Sequence, residues 1–291
     1  MRVLLTGKNG QLGSCLQDLI TNTSHDLFAF DSSELDITNQ EEVVKITNVV
    51  KPNVIINAAA YTAVDQAELE CDQAYAVNEF GVKYLAEQAS VLDIPLFHVS
   101  TDYVFDGLNV EPYQPSSKTE PQGVYGQSKL AGEKVIASTL DKYIILRTAW
   151  VFSEYGNNFV KTMLRLANEK DELSVVSDQY GNPTYAKDLA RSIVQLCDQY
   201  NSKGVLEWGV YHYTGDISTS WHGFARAILF KANKLNLIDK MPKLTPISSE
   251  SFPTAVKRPA YSILDNSDLK RLNISNSSWL SALDIVLSKL P

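Results

Sequence analysis

The sequence predicts an α/β fold, a doubly wound parallel sheet carrying a smaller second domain of discontinuous segments. Three observations lead there. The apolar run Arg2-Val3-Leu4-Leu5-Thr6 meets a loop with glycines at 7, 10 and 13, and then a segment with helical spacing of Leu16, Leu19 and Ile20. Short apolar runs then alternate with helical stretches through the first half, which is the pattern of a parallel sheet covered on both faces. Finally, the residues of chemical interest stand at the ends of those runs, where open parallel sheets bind ligands.

Taken in order, the first run predicts a buried strand and the glycine loop predicts a phosphate cradle. Gly7 permits a sharp turn, Gly10 lets the backbone approach a pyrophosphate at the helix N-terminus, and Gly13 lets the helix pack on the strand. Strand, glycine loop and helix make the sheet Rossmann-type. The next run, Leu27-Phe28-Ala29-Phe30, ends in Asp31, a carboxylate placed to accept from adenosine ribose hydroxyls. Asn53-Val54-Ile55-Ile56-Asn57 predicts a third strand, and the small residues Ala58-Ala59-Ala60 after it allow a flat ring or ribose to approach the backbone. A helical stretch follows over residues 65–92, interrupted near Asn78 and Gly81. Pro95-Leu96-Phe97-His98-Val99 runs into Ser100-Thr101, and Lys142 to Arg147 runs into Thr148-Ala149-Trp150.

Tyr125 and Lys129 form the only Tyr-x-x-x-Lys pair in the chain. A helix places residues i and i+4 on one face. An ammonium there favours the phenolate and lowers a tyrosine from its usual ~10. Such a tyrosine can protonate a substrate oxygen, while the hydroxyl of Thr101 holds that same oxygen. This is the equipment for carbonyl reduction by a nicotinamide.

The second half is less regular. Helices are predicted over 158–168 and 187–196, strands over 174–176 and 210–213, and a loop over 178–184. The helix of Trp221 and His222 reads as packing, and His98 as a structural histidine. The predicted domains are 1–150 plus roughly 186–215 for dinucleotide binding, and roughly 151–185 plus 216–291 for substrate. Net charge is −8 and no long basic stretch occurs, which argues against nucleic-acid binding. No run reaches the length of a membrane span. The three cysteines, Cys15, Cys71 and Cys197, have no metal or disulfide spacing, so a cytoplasmic setting is expected.

Taken together, these motifs resemble the extended short-chain dehydrogenase/reductases, and within them the enzymes that reduce a deoxynucleotide-linked 4-keto-6-deoxy-L-sugar. The resemblance runs nearly end to end. It is carried by Gly7 to Gly13, Asn57 to Asp65, Ser100 to Gly107, Val124-Tyr125-Gly126 with Lys129 to Glu133, Arg147 to Val151, Asn157-Asn158-Phe159, and Arg258-Pro259 with Ser262 and Leu264-Asp265.

The resemblance implies that Tyr125 donates a proton to the C4 keto oxygen, Lys129 lowers its pKa and holds the nicotinamide ribose, and Thr101 takes the place of the usual serine. Asn78 matches an asparagine of a proton relay. Gly10, Gln11, Leu12, Asp31, Asp36, Ile37, Ala60, Tyr61 and Thr62 match cofactor contacts, and Gly7, Gly13 and Ala58 belong with them. Thr101, Asp102, Tyr103, Trp150, Asn157 and Arg258 are the implied substrate contacts, with Arg258 suited to a diphosphate. The resemblance further implies that some family members hold Mg²⁺ at a dimer interface with carboxylates where this chain has Cys15 and Lys187. A thiol and an ammonium make no hard-cation site, so no Mg²⁺ is expected, and the chain is read as a monomer or a metal-independent dimer. NADPH and NADH are both expected as cofactors, since Asp31 favours NADH while Lys8, Ser32 and Ser33 can accommodate a 2′-phosphate. Two alternatives remain open: a related reductase giving the C4 epimer or using another nucleotide sugar, and a non-catalytic NADP-binding regulatory subunit.

Overall fold

The computed structural model of the protein describes residues 1–290. Its centre is one six-stranded sheet of β1 (Arg2–Thr6), β2 (Asp26–Phe30), β3 (Val54–Asn57), β4 (Leu96–Thr101), β5 (Tyr143–Thr148) and β6 (Gly209–His212). The strands lie in the order β6-β5-β4-β3-β1-β2, and every neighbouring pair is parallel. The winding reverses between β1 and β3, so a crevice opens there at the carboxyl ends of the strands.

Side chains alternate along each strand and supply both faces. On one face Val3, Leu5, Ile56, Phe97, Ile144 and Leu146 pack against α1 (Gln11–Ile20) and a later helix, Ala186–Lys203. On the other, Leu4, Ile55, Leu96 and Ile145 pack against α2 (Gln40–Val50), α3 (Val82–Val91) and α4 (Val124–Thr139). The doubly wound sheet expected from the sequence is what the chain forms.

The helical stretch before β4 is broken. Val64–Ala67 and Cys71–Tyr75 are short helices, and Ala76–Gly81 is a π-helical turn that leads into α3. Gly81 lies in this turn because a Cβ there would stand 2.7 Å from Ile37 Cγ1. The π-turn carries Asn78 inward, where it is fully buried.

A second core forms from α5 (Phe159–Glu169), α7 (Trp221–Lys234) and α8 (Trp279–Leu287), with α6 being Ala186–Lys203. It gathers Phe152, Val160, Met163, Leu173, Tyr185, Phe224, Ile228, Leu229, Trp279 and Leu283. Leu269, Leu272 and Ile274 instead join the core of the large sheet. The loop predicted over 178–184 contains two short strands, Tyr180–Gly181 against Thr219–Ser220 and Thr184–Tyr185 against Val151–Phe152. Strand Glu172–Val176 pairs in parallel with Lys243–Ile247. No strand is named from the sequence at 243–247, a segment that contains Pro246. A two-stranded sheet has only edges, and an edge tolerates a proline.

Candidate active site

The glycine loop turns as its sequence demands. Gly7 has φ +77°, and an added Cβ would lie 2.6 Å from Ala59 N, so the loop rests directly on the backbone after β3. A Cβ on Gly13 would collide with the Gly7 carbonyl, while one on Gly10 would meet that oxygen at 3.4 Å. Gly10 is the N-cap of α1, with no side-chain cap and no acidic residue in the first turn. The first backbone N–H groups of α1 are left for an anion, which fits a pyrophosphate.

At the end of β2, Asp31 accepts from Ser33 Oγ at 2.6 Å and Asn9 Nδ2 at 2.9 Å, and lies 3.6 Å from Lys8 Nζ. Ser33 foremost keeps its carboxyl below the usual range, with Asn9 and Lys8 adding to it. Lys8 is also bound to Glu34 at 2.5 Å. Asp36 turns onto its own loop, accepting from Thr38 N at 2.9 Å, and Ile37 is buried.

Two of the expected cofactor residues, Leu12 and Gln11, have side chains engaged within the protein. The Leu12 side chain belongs to the sheet core, which leaves only its backbone for a ligand. Gln11 is wired across the crevice, donating to Val151 O at 3.3 Å and accepting from Ser153 Oγ at 2.8 Å and Asn158 Nδ2 at 3.0 Å. Asn157 is exposed on the loop. Its neighbour Asn158, which the sequence reading left without a role, caps α5 and ties it to Gln11.

Ala58, Ala60, Tyr61 and Thr62 follow β3 directly. Asn78 braces that segment, accepting from Tyr61 N at 3.0 Å and donating to Tyr61 O at 3.1 Å and to Ser128 Oγ at 3.0 Å. Its side chain thus holds the loop to α4. Gly132 lets α4 come this close, since a Cβ there would strike the Asn78 carbonyl.

Beside the crevice, Thr101 ends β4 and Tyr125 stands on the first turn of α4. The Thr101 hydroxyl donates to Asp102 Oδ1 at 3.0 Å and accepts from Tyr103 N at 3.2 Å. Tyr103 packs edge-on against Tyr125, with ring centroids 5.5 Å apart. Burial pushes the Tyr125 phenol well up, Thr101 draws it down, and the charges of Asp102 and Tyr103 raise it further. Burial likewise takes Tyr103 to about 12. Asp102 is buried, its Oδ2 lacks a hydrogen bond of ordinary geometry, and burial raises it to about 6 against the pull of Ser262 and Thr101.

Lys129 lies one turn after Tyr125 on α4 and is buried. Its Nζ donates to Val99 O at 2.7 Å and lies 3.2 Å from His98 Nε2, so the amine is turned under β4. Burial keeps the Tyr125 phenol protonated, so it has a proton to give.

Trp150 follows β5 with φ +49°, a conformation that costs a non-glycine residue on the order of 1–3 kcal/mol and clusters at functional sites. Its ring stacks on Trp221 at 3.6 Å with the planes 11° apart, and a Cβ on Gly181 would lie 2.7 Å from it. Phe159 continues the cluster, 4.7 Å from Trp221. The packing role expected for Trp221 is therefore packing against a site residue. The signal that could have revealed it, a tryptophan opening a helix, is common in cores. Arg258 lies over Tyr103 and donates to its hydroxyl at 3.2 Å, but its guanidinium is also paired with Asp65. Of the Mg²⁺-equivalent positions, Cys15 is buried and Lys187 lies 3.4 Å from Asp18. Among the described residues, no group of three or more His, Cys, Asp or Glu is placed to hold a metal ion.

A family model described as the RmlD substrate binding domain matches residues 1–291. A dTDP-4-dehydrorhamnose reductase of Aggregatibacter actinomycetemcomitans is 47% identical, the alignment covering 97% of each chain. A crystal structure of a dTDP-4-dehydrorhamnose reductase from Clostridium acetobutylicum superposes with TM-score 0.92 at 40% identity, covering 99% of both chains. One from Bacillus anthracis, solved in complex with NADP, gives TM-score 0.92 at 39% identity over 99% of both.

Proposed function

The chain belongs to the family described as the RmlD substrate binding domain, and from that premise we propose that it reduces the C4 keto group of dTDP-4-dehydro-β-L-rhamnose to give dTDP-β-L-rhamnose. The observation that carries the reading is the meeting of Thr101, a protonated Tyr125 and Asp102 beside an uncapped helix N-terminus. A carbonyl reductase needs the acid and the hydroxyl anchor as well as the dinucleotide cradle, whereas a non-catalytic NADP-binding subunit needs only the cradle.

When bound, NADPH or NADH supplies the hydride. Gly7, Gly10 and the α1 N-terminus hold its pyrophosphate, Asp31 its adenosine ribose, and the segment Ala58 to Thr62 lies against its body. Tyr125 gives its proton to the C4 oxygen as negative charge develops there, and Thr101 holds that oxygen in place. Trp150, backed by Trp221, offers a flat wall to the sugar, and Tyr103 and Asp102 supply further contacts to it. Arg258 exchanges Asp65 for the diphosphate, which supplies binding energy remote from the reacting carbon. Lys8 and Ser33 beside Asp31 suit a 2′-phosphate, so both cofactors serve.

In the same reading, the large sheet core with residues 186–215 is the dinucleotide-binding domain, and 151–185 with 216–291 binds substrate, the short 3-10 helix Ser267–Leu272 and Ile274 after it docking back on the first core. The setting is cytoplasmic and the assembly is a monomer or a dimer without metal.

The test is direct. Purified protein is mixed with dTDP-4-dehydro-β-L-rhamnose and NADPH or NADH, the fall in reduced-cofactor absorbance is followed, and the product sugar is identified. Oxidation with dTDP-L-rhamnose formed is expected. The C4 epimer as product moves the reading to a sister reductase, and tight cofactor binding without oxidation moves it to a regulatory subunit.

A further inference from the structure

A chain of buried hydrogen bonds runs behind the site, from β1 through β3 and β4 to α4. It begins at a group whose role is fixed. The Ala59 backbone N–H can only donate, and it lies 3.1 Å from Asn57 Oδ1. The Thr6 hydroxyl donates to the same oxygen at 2.7 Å. That oxygen is the acceptor end of the amide, so the NH₂ end faces His98 Nδ1 at 3.1 Å. An amide NH₂ only donates, so Nδ1 carries no proton. The one proton of a neutral imidazole then sits on Nε2 and points at Lys129 Nζ, 3.2 Å away. An ammonium has no lone pair to receive it, whereas an amine has. Lys129 directs its own N–H to Val99 O at 2.7 Å. All four side chains, Thr6, Asn57, His98 and Lys129, are buried, so solvent does not compete for these bonds.

We propose that His98 is a positioning residue that sets the charge of Lys129: in its Nε2–H tautomer it donates to the lysine, which rests as a neutral amine held under β4. Protonation by solvent removes the lone pair that accepts from Nε2–H. The same event therefore releases Lys129 from His98 and lets the ammonium turn toward the crevice when an anionic ligand arrives. The bond sequence also ties Lys129 to Thr6, the residue that leads into the glycine loop.

The groups about Lys129 allow this. Tyr125 and Glu133 lie one turn away on α4, Glu133 is already paired with Arg147 of β5 at 2.6 Å, and the π-turn contributes only the uncharged Asn78. Burial brings Lys129 down to about 8, with Glu133 opposing. Burial holds His98 well below the ordinary imidazole range, so the ring stays neutral. At about 8 the ammonium still leads by about tenfold at neutral pH, and the preference for the amine supplied by the Nε2–H bond is what offsets that lead, one pKa unit for each tenfold.

Long-range ¹H–¹⁵N NMR of the ¹⁵N-histidine-labelled protein reads the tautomer, with His98 assigned by replacing His25, His212 and His222 one at a time. A neutral Nε2–H ring that does not titrate above pH 5 is expected. An Nδ1–H ring, or an imidazolium near neutral pH, overturns the proposal. This arm does not depend on turnover, so it stands whether or not the reductase reading holds. The kinetic arm rests on that reading. In His98→Gln a carboxamide oxygen can accept from an ammonium, so the ionisation of Lys129 in the pH profile of kcat/KM should move up by about one unit. A variant that loses activity with the profile unmoved marks His98 as merely structural and overturns it as well.

Discussion

The glycine loop and the aromatic wall around Trp150 face the same crevice, yet they are built by opposite means. The loop is contiguous and works through backbone: a glycine at φ +77°, two further glycines and a bare helix end. The wall is assembled from Trp150, Phe159, Gly181 and Trp221, which are far apart in the chain, and works through side-chain faces. The loop tolerates no added atoms at Gly7 or Gly13. The wall tolerates change in proportion to the face that is lost. The loop therefore suits what is constant in the reaction, the dinucleotide, and the wall suits what distinguishes one sugar from another.

Between them stands Tyr125, and it carries the largest expected effect. Tyr125→Phe keeps the ring that packs on Tyr103 and removes only the proton donor. We expect kcat to fall by about 10²–10⁴ with cofactor affinity kept, measured by steady-state kinetics and cofactor titration. Weakened cofactor binding with turnover retained would place Tyr125 with the loop instead of with the chemistry.

Within the loop, the two glycines should separate. Gly13→Ala forces a Cβ onto the Gly7 carbonyl, and overpacking of this kind costs about 1–3 kcal/mol. Urea denaturation should show that loss. Gly10→Ala meets only a 3.4 Å neighbour, so stability should hold while dinucleotide affinity drops, because the added methyl stands where the backbone approaches the pyrophosphate. Equal stability loss in both would mean that the loop is shaped for packing alone.

Legibility followed the same division. The strands, Gly7, Gly10, Gly13, Asp31 and the Thr101–Tyr125 pair lie in local patterns, where a period of two or a fixed spacing reports the fold. Trp221 and the strand at 243–247 acquire their places through contacts between distant segments, and Asn158, legible as a helix cap, gains its tie to Gln11 in the same way. Lys129 was legible as a residue but not in its bonding. A spacing of four predicts which face a side chain shares, whereas Val99 and His98, on another element, decide where its nitrogen goes. Arg258 is similar, since its partner Asp65 comes from the far end of the chain.

Asp102 tests whether the floor of the site was shaped for ligand rather than stability. Its folded pKa of about 6 lies above the ordinary carboxylate value of 3.8, so the folded protein binds the extra proton between those values. Stability from this group is present below the unfolded pKa and is lost as pH rises toward 6. At neutral pH the buried charge costs on the order of 2–3 kcal/mol, from roughly two pKa units at about 1.4 kcal/mol each. Asp102→Asn should raise the melting temperature at pH 7.5, show no gain near pH 4, and reduce turnover. A variant less stable at pH 7.5 would make the carboxylate a structural acceptor.

The smallest effect expected, and the sharpest for the comparison, is that of Trp221→Ala. Trp221 lies behind Trp150, which holds an unfavourable φ with one ring face covered by this stack. An aromatic pair contributes about 0.5–1.5 kcal/mol beyond its burial. If that contact holds Trp150 in place, removing it should raise KM for the nucleotide sugar by about threefold to tenfold, leave the dinucleotide dissociation constant unchanged, and be matched by Trp150→Ala without further loss in the double variant. Additive losses would mean that the two rings contact substrate independently. A change in dinucleotide affinity would mean that wall and loop are coupled, and that the division of labour drawn from their construction does not hold.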